Sequence, residues 1–313
     1  MKYVIKKVIA LIITLLIVSF LAFLAFQIIP GDPTTRILGS EATPEMVAAL
    51  REQMGLNRPM LFRYLEWLGN FVRGNYGTSF TYKVSVNSLL ADKLPVTILL
   101  TALSFIITGV VAIPLGILAG SVKSKIIDKI VIIIDQIVMS VPAFFIGMIV
   151  CFLFGILFRL FVPGQFVPLE TDWRACIAYL VFPAVSIAIP RIAMTVKMLR
   201  SSILNQLGQD YVRTARSRGN NRRQYLFKHV IRNAMIPVIT FLAISLAEIM
   251  TGTIIIEQVF TIPGIGRLLI SSIGTRDFPV VQAIVVLIAA WIVIVNFAAD
   301  IINQVVDPRL RNR

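Results

Sequence analysis

The chain has 313 residues, 57% of them hydrophobic, and its 30 Lys and Arg against 16 Asp and Glu give a formal net charge of +14. A soluble protein this basic would be a candidate nucleic-acid binder. Here the apolar residues form long uninterrupted runs, which excludes a soluble globular domain and removes the reason to expect nucleic acid as a partner.

Four runs without any charged residue are long enough to cross a membrane as helices, which requires about 20 residues for roughly 30 Å of hydrocarbon. They are residues 8–31, 94–122, 136–158 and 278–299. Two further segments, 175–196 and 235–256, contain one central charge each, Arg191 and Glu248. Such a charge costs about 2.5–3.5 kcal/mol, which the Ile, Val and Leu of each segment offset at about 0.3–0.6 kcal/mol per residue. The sequence therefore predicts an all-α integral membrane protein with six transmembrane helices.

The first predicted span lies in residues 1–29. Its apolar part follows Lys2, Lys6 and Lys7, as the apolar part of a signal peptide follows basic residues. Its apolar part is too long for a signal peptide and no clear A-x-A cleavage site follows, so we predict an uncleaved helix.

The basic residues predict the orientation, because Lys and Arg near the ends of spans collect on the cytoplasmic side. With the amino terminus inside, the cytoplasmic segments hold 18 of the Lys and Arg. In the opposite orientation residues 30–93 would be inside, where seven bases are nearly matched by six acids. We therefore predict that both termini are cytoplasmic.

The external segment, residues 30–93, contains two predicted amphipathic helices. Residues 42–56 begin with Thr43 as a helix cap and Pro44 at the first helical position. Residues 58–77 form the second helix, with four residues on one face: Leu61, Tyr64, Leu65 and Leu68. Two interpretations stay open, a small helical cap on the bundle or, in addition, a docking surface for an extracytoplasmic partner.

Residues 94–304 contain the other five spans, and residues 305–313 form a cytoplasmic tail. The sequence GILAG at 116–120 lets helices approach closely, so we predict helix packing there. Residues 257–280 connect the last two spans through a Pro-Gly turn and a short amphipathic piece, which we predict to be a re-entrant or interfacial helix. Prolines in or beside the spans predict kinks; they are Pro114, Pro142, Pro183 and Pro237.

A basic elbow connects the fourth and fifth spans, in residues 199–236. Asp210 is the predicted cap of a short helix over 211–218, which Gly219 can close in the left-handed conformation that glycine adopts freely. An interfacial helix is predicted over 222–234, interrupted at the following proline. Its apolar arc consists of Leu226, Phe227, Val230, Ile231 and Ala234. From the residues alone, the elbow is either a rigid lever or a solvated loop that binds lipid headgroups and fixes the topology.

The elbow resembles the cytoplasmic coupling motif of ABC importer permeases, in which Glu-Ala-Ala is followed by three residues and Gly. Ala215 and Gly219 match this motif, and Pro237 follows 18 residues after the glycine. Arg213 and Thr214 stand in place of Glu-Ala. This departure is characteristic of the peptide and nickel branch of the family.

Further stretches resemble the same branch: PGDP (30–33), ATPEMVAALREQMGLNRP (42–59), FPAVSIAI (182–189), HVIRNAMIPVIT (229–240), GTIIIEQVFTIPGIGRLL (252–269), RDFPVVQ (276–282) and DPRLR (307–311). The resemblance covers nearly the whole chain. The sequence is thus identified as a binding-protein-dependent permease subunit of the dipeptide, oligopeptide and nickel importer family, similar to the B-type peptide subunit. The resemblance implies the type I ABC importer permease fold and a location in the bacterial inner membrane.

The resemblance also implies that the elbow is a coupling helix held in a groove of a cytoplasmic ATPase. The candidate coupling residues are Arg213, Thr214, Ala215, Arg216, Arg218 and Gly219, and those expected to support the elbow are Asp210, His229, Arg232, Asn233 and Pro237. The implied partners are a homologous second permease subunit, two ATPase subunits, an extracytoplasmic substrate-binding protein and membrane lipid. The substrate would be a di- or oligopeptide, with nickel or a metal chelate as the alternative within the family.

ATP and Mg would be bound by the ATPase subunits, because this chain lacks the GxxxxGK[ST] phosphate cradle. We expect the chain itself to bind no cofactor and no metal and to have no catalytic residue. A GxSxG or HExxH motif of a lipase or protease is also missing from the sequence.

Charged residues inside spans are by default candidates for function. Glu248, close to Gly252, either lines the translocation path, where it can meet a peptide's ammonium group, or bonds a neighbouring helix. Arg191, Asp135 and Asp300 are expected near the cytoplasmic boundary, where they snorkel or pair.

Two function classes outside the family compete with this interpretation. An autonomous secondary transporter or channel predicts charge pairs at the membrane midplane and internal repeats, and it leaves the elbow unexplained. A membrane scaffold would transport no substrate. Dependence of uptake on ATP separates these classes from an ABC importer.

Overall fold

The fold is given by a computed structural model, which describes residues 2–28, 34, 38, 43–53, 57–122 and 124–306. The stretches 30–33 and 307–311 and most of the predicted tail lie outside the described residues. The helices, with two π turns, are α1 (Lys2–Ile28), α2 (Pro44–Gln53), α3 (Met60–Val72), α4 (Val86–Ser121), α5 (Lys125–Ser140), α6 (Ala143–Val150), π1 (Cys151–Leu157), α7 (Trp173–Leu207), α8 (Asp210–Ser217), α9 (Arg222–Tyr225), π2 (Leu226–Val230), α10 (Ile231–Val259), α11 (Ile265–Gly274) and α12 (Phe278–Val306). Within the described ranges, β-structure is limited to an isolated bridge between Thr78 and Ser85.

Five helical runs are long and apolar enough to cross a membrane. They are Ile5–Ala25 within α1, α4, α7, the continuous run Arg222–Val259 and Phe278–Gln304 within α12. A sixth candidate is the pair Lys125–Ser140 and Ala143–Leu157, whose two helices are bent by 96° at the break between them. The predicted all-α membrane fold is confirmed, with five spans and one bent candidate.

The predicted third span, 136–158, is wrong as an uninterrupted helix, because the chain breaks before Pro142. Proline has no N–H to continue a helix and pushes the preceding residue towards extended backbone. Val141 accordingly has φ −97° and ψ 125°, and Pro142 becomes the N-cap of α6.

The chain divides into two compact units. The first comprises Met1–Pro95 and Arg267–Val293, and the second comprises Val96–Gly266 and Ile294–Arg313. In the first unit, α2 begins as predicted. Thr43 caps the helix, because its side-chain oxygen accepts a hydrogen bond of 3.3 Å from the Met46 N–H.

An aromatic contact attaches α3 to α1 within the first unit. The hydroxyl of buried Tyr64 lies 2.8 Å from that of Ser19, and its ring packs edge-on against Phe20. The second predicted amphipathic helix is confirmed as α3; on its predicted apolar face Tyr64 is buried, whereas Leu61 and Leu65 are exposed. Tyrosine is the residue that fits this contact because its ring packs while its hydroxyl finds a partner.

A buried aspartate organises the turn between α3 and α4 in the same unit. Asp277 accepts hydrogen bonds from the Ser79 hydroxyl at 2.5 Å and from the Phe80 and Thr81 N–H groups at 3.0 and 3.1 Å. These bonds to a charged acceptor fix the turn to the segment that precedes α12.

In the second unit, α4 and α7 approach closely at two glycines. A Cβ at Gly116 would lie 2.8 Å from the side chain of Leu199, and a Cβ at Gly120 would lie 2.8 Å from that of Ile203. The predicted helix packing at 116–120 is therefore confirmed.

The helical run from α9 to α10 continues through Pro237, so the predicted interruption at that residue is wrong. Prolines are tolerated inside membrane helices where neighbours satisfy the freed groups, and Pro183 and Pro190 also lie inside α7. The irregularity of this run is instead π2, which precedes the proline.

Candidate functional site

Because α7 continues to Leu207, the elbow is shorter than the predicted 199–236: it comprises α8, the turn at Gly219 and α9, and it connects α7 to α10. Gly219 has φ +80°, and its N–H donates to the Arg216 carbonyl at 2.9 Å, which confirms the predicted left-handed end of α8. The predicted capping role of Asp210 is wrong, because the N-cap is Gln209 and α8 begins at Asp210. A residue with helical backbone does not direct its side chain at the first free N–H groups as an N-cap does.

The inner face of α8 is packed. Val212 and Ala215 are buried in a cluster with Leu199 and Ile203 of α7 and Tyr225 of α9. Because such packing is dense and resists compression, α8 is attached to the end of α7 as a rigid body.

The opposite face of α8 is cationic and exposed. The Arg213 guanidinium lies 3.6 Å from the Asp210 carboxylate, one turn earlier, and both side chains are open to solvent. The guanidinium of Arg216 lies 4.9 Å from the ring centroid of Tyr225, a cation–π contact that orients it. Arg218, at the end of the helix, is exposed. The structure thus brings the predicted coupling residues together on α8 and the turn that ends it. Ala215 lies on the buried face of α8, and the arginine side chains are exposed.

The second arm of the elbow is fixed by its own polar contacts. Asn221 and Gln224 form a capping box, in which each side chain accepts a bond of 2.9 Å from the other's backbone N–H. The Arg222 guanidinium donates to the carbonyl of Ser121 at the end of α4. Within the predicted apolar arc, Phe227 is exposed whereas Leu226, Val230 and Ala234 are buried. The interfacial role of this arc stays a prediction.

The other residues predicted to support the elbow are half-buried or exposed: His229, Arg232, Asn233 and Pro237. The packing on this arm comes from apolar residues, since Val230 and Ala234 are fully buried in the cluster that holds α8. The Ser202 hydroxyl of α7 donates to the Ala234 carbonyl at 3.0 Å and joins the two spans.

Three basic residues of α7 are each paired with an acidic residue of another helix. Arg200, nearest the elbow, is 3% exposed and donates to Asp128 at 2.7 Å and to two backbone carbonyls at 3.1 Å each. One turn away, Lys197 donates to Asp135 at 2.6 Å, which confirms the predicted pairing of Asp135.

The third pair joins α7 to α10. Arg191 donates a hydrogen bond to Glu248, and their side chains are 27% and 51% exposed. Glu248 therefore bonds a neighbouring helix, as one of the two interpretations held. Gly252, one turn further, is half-buried, and a Cβ there would only touch Ile187 at 4.0 Å. That Glu248 and Gly252 line a path stays a prediction.

A buried glutamate at the end of α10 was missed by sequence reasoning. Glu257 is 0% exposed and accepts hydrogen bonds from the Thr97 hydroxyl at 2.6 Å and the Gly266 N–H at 2.8 Å. The Thr97 hydroxyl in turn accepts from the Ile265 N–H at 3.0 Å. These N–H groups begin α11, the short helix predicted within 257–280, so the carboxylate lies where the helix dipole favours a negative charge. The sequence feature that could have indicated this buried carboxylate is an acidic residue at the end of a span, shortly before a Gly-x-Gly turn.

Apolar spans joined by a packed elbow define a multi-pass helical membrane protein. Residues 112–312 match the family of binding-protein-dependent transport system inner membrane components, and residues 1–101 match the N-terminal region of such components. The chain belongs to this family and is the permease subunit of an ABC importer in the inner membrane.

Three relatives match this chain along almost its whole length. A probable peptide ABC transporter permease of Sinorhizobium fredii is 34% identical over 309 residues, 99% of each chain. The oligopeptide transport system permease protein AppB of Bacillus subtilis is 35% identical over 311 residues, 98% of each chain. The nickel import system permease protein NikB of Staphylococcus aureus is 31% identical over 313 residues, 99% of this chain and 92% of NikB.

Proposed function

We propose that this permease subunit imports short peptides and that α8 is the coupling helix through which ATPase subunits move the spans. The observation that carries the coupling role is the elbow itself. Val212 and Ala215 fix its inner face to α7, Gly219 ends it sharply, and arginines stand on its free face. A force on α8 is therefore passed to α7 and α10 rather than absorbed by the elbow.

The elbow would lie on the cytoplasmic side, with both termini, because the basic residues concentrate in the segments that this orientation places inside. Its arginines can form charge-assisted hydrogen bonds with acidic groups or carbonyls of the ATPase. Two ATPase subunits would bind ATP and Mg, since the sequence of this chain has no phosphate cradle. A homologous permease subunit would complete the transmembrane pathway, a binding protein would deliver substrate, and lipid would cover the remaining apolar surface.

Peptide is the favoured substrate, because the peptide relatives match at 34% and 35% identity and the nickel relative at 31%. Nickel or a metal chelate is the second candidate. Among the described residues, no group of three or more His, Cys, Asp and Glu could hold a metal ion, so a metal would be carried as a complex selected by the binding protein.

The coupling role is tested with Gly219→Ala. Alanine at φ +80° is strained by about 1–2 kcal/mol, although open space surrounds the position. We expect several-fold less ATPase to co-purify with this variant and a matching fall in ATP-dependent peptide uptake. The matched control is Gly208→Ala, which lies just before the elbow with φ −81° and should behave as the wild type.

Full coupling by Gly219→Ala would contradict the role of α8. Uptake by the wild type that proceeds without ATP would contradict the importer as a whole and favour the autonomous secondary transporter.

A further inference from the structure

The Arg191–Glu248 pair joins two helices that are long enough to span a membrane. Arg191 is near the middle of the 35-residue helix α7, and Glu248 lies inside the 29-residue helix α10. Charges inside membrane spans are unfavourable against lipid and normally face a water-filled cavity or a partner subunit. The position therefore indicates a polar environment next to this pair.

The exposed residues around the pair form two stripes. On α10 the stripe consists of Ile244, Glu248, Thr251 and Ile255, and on α7 it consists of Met194, Lys197, Ser201 and Asn205, beginning one turn after Arg191. Their spacing of three or four residues places each stripe on one side of its helix. The α7 stripe becomes polar from Lys197 onwards and ends in the segment predicted to be cytoplasmic, so it can connect the pair to water on that side.

The three ion pairs of α7 differ in accessibility. Arg200 is buried and held by three acceptors, and the partner of Lys197 is the buried carboxylate of Asp135. Of these three pairs, Arg191–Glu248 has both partners accessible. An accessible pair can exchange its contacts with a charged ligand, whereas a buried pair cannot without leaving a charge unpaired.

We propose that Arg191 and Glu248 bind the two charged ends of a peptide as it passes: the guanidinium binds the terminal carboxylate, and the Glu248 carboxylate binds the terminal ammonium. This site rests on the proposed import of peptides. A peptide with free termini carries both charges at neutral pH, and their desolvation is unfavourable unless each is paired. The exchange keeps all four charges paired, because one protein–protein contact is replaced by two protein–peptide contacts. A guanidinium suits a carboxylate because it can donate two parallel hydrogen bonds.

The test uses the complete importer, with its partner permease, ATPase subunits and binding protein, in proteoliposomes. ATP-dependent uptake of radiolabelled trialanine is measured for R191Q, E248Q and R191Q/E248Q, and each rate is divided by the amount of folded permease. We expect each single variant to lose about tenfold in uptake and the double variant to lose at least as much. If the pair only joins α7 to α10, the double variant is better than either single variant, because each of those leaves one charge unpaired.

A second arm of the test uses acetyl-trialanine and trialanine amide, each at equal occupancy of the binding protein. E248Q should spare uptake of the acetylated peptide, which has no ammonium, and R191Q should spare the amide, which has no carboxylate. R200Q is the matched control, because Arg200 is buried outside both stripes and its loss leaves the Asp128 carboxylate without its counter-ion, which should lower the uptake of all three peptides equally.

Three results would each contradict the proposed site. They are an equal loss of uptake for all three peptides in R191Q and E248Q, unchanged uptake in these variants, and a double variant whose uptake returns towards that of the wild type. If the wild type does not transport the acetylated or the amidated peptide, the proposed site is tested by the trialanine uptake of the single and double variants. Absence of ATP-dependent trialanine uptake in the wild type would contradict the proposed function, and the site with it.

Discussion

Two glutamates on the same helix, α10, show opposite environments for a carboxylate. Glu257 is 0% exposed and accepts hydrogen bonds from the Thr97 hydroxyl and from the Gly266 N–H at the start of α11. Glu248, nine residues earlier, is half exposed and bonds the cation of Arg191. A buried carboxylate that several donors hold fixes the chain, because no single donor can leave without cost. An accessible carboxylate with one counter-ion can change partners.

The largest effect should come from replacing the buried member of this comparison. In Glu257→Gln, the amide group places a donor against either the Thr97 hydroxyl or the Gly266 N–H. We expect a loss of about 2–4 kcal/mol of stability, measured as a lower midpoint of thermal unfolding of the purified permease in detergent. Glu248→Gln is the control, with an expected loss below about 1 kcal/mol, as for accessible ion pairs. Equal losses in the two variants would show that the comparison is wrong.

A second effect tests how closely the chain encloses Glu257. A Cβ at Gly266 would overlap the backbone of Ile254 and come within 3.0 Å of the Glu257 carboxylate. Gly266→Ala should therefore cost about 1–3 kcal/mol, because overpacking forces the backbone to move. At Gly274, in the same helix, a Cβ would have no atom within 4 Å. Gly274→Ala should leave the unfolding midpoint unchanged or slightly raised, and a similar midpoint for both variants would contradict the tight enclosure.

The features that the sequence predicts are those decided by nearby residues. Gly219 ends α8 because the turn itself requires a left-handed residue, and GILAG at 116–120 packs because small side chains permit it. Prolines are less local in their effect: Pro142 breaks its helix, whereas Pro237 lies inside an unbroken one. Which outcome occurs depends on the neighbouring helices that satisfy the freed backbone groups.

The environment of Glu257 could not be predicted, because its donor Thr97 is 160 residues away in the sequence. The residues of the candidate site also differ in whether their contacts are local or distant in the sequence. The coupling residues of α8 lie together because they are consecutive, whereas the partner of Glu248 lies 57 residues earlier, on α7. Pairing across helices depends on packing that no local pattern specifies.

A smaller effect is expected at the contact between the two arms of the elbow. Arg216 lies over the Tyr225 ring, and Arg216→Gln removes this cation–π contact at a cost of about 0.5–1 kcal/mol. The measurement is protection of the α8 and α9 amides from hydrogen exchange, which should fall locally while α7 stays protected. Arg218→Gln, at the exposed end of the same helix, is the matched control and should leave protection unchanged. Equal loss of protection in both variants would show that the ring contact does not hold the arms together.

The smallest effect on stability is expected at the exposed pair of Arg213 and Asp210 in the elbow. Like Glu248, Asp210 is an accessible carboxylate beside one arginine. The atoms are 3.6 Å apart and both side chains are open to solvent, so D210N and R213Q should leave the unfolding midpoint unchanged within error. Their effects on the proposed ATPase contact should nevertheless differ. R213Q removes a cation from the docking face and should weaken ATPase co-purification and its dependence on salt, whereas D210N frees that cation and should preserve both. If R213Q left the salt dependence unchanged, Arg213 would not contact the ATPase, and the free face of α8 would have to bind through its other arginines.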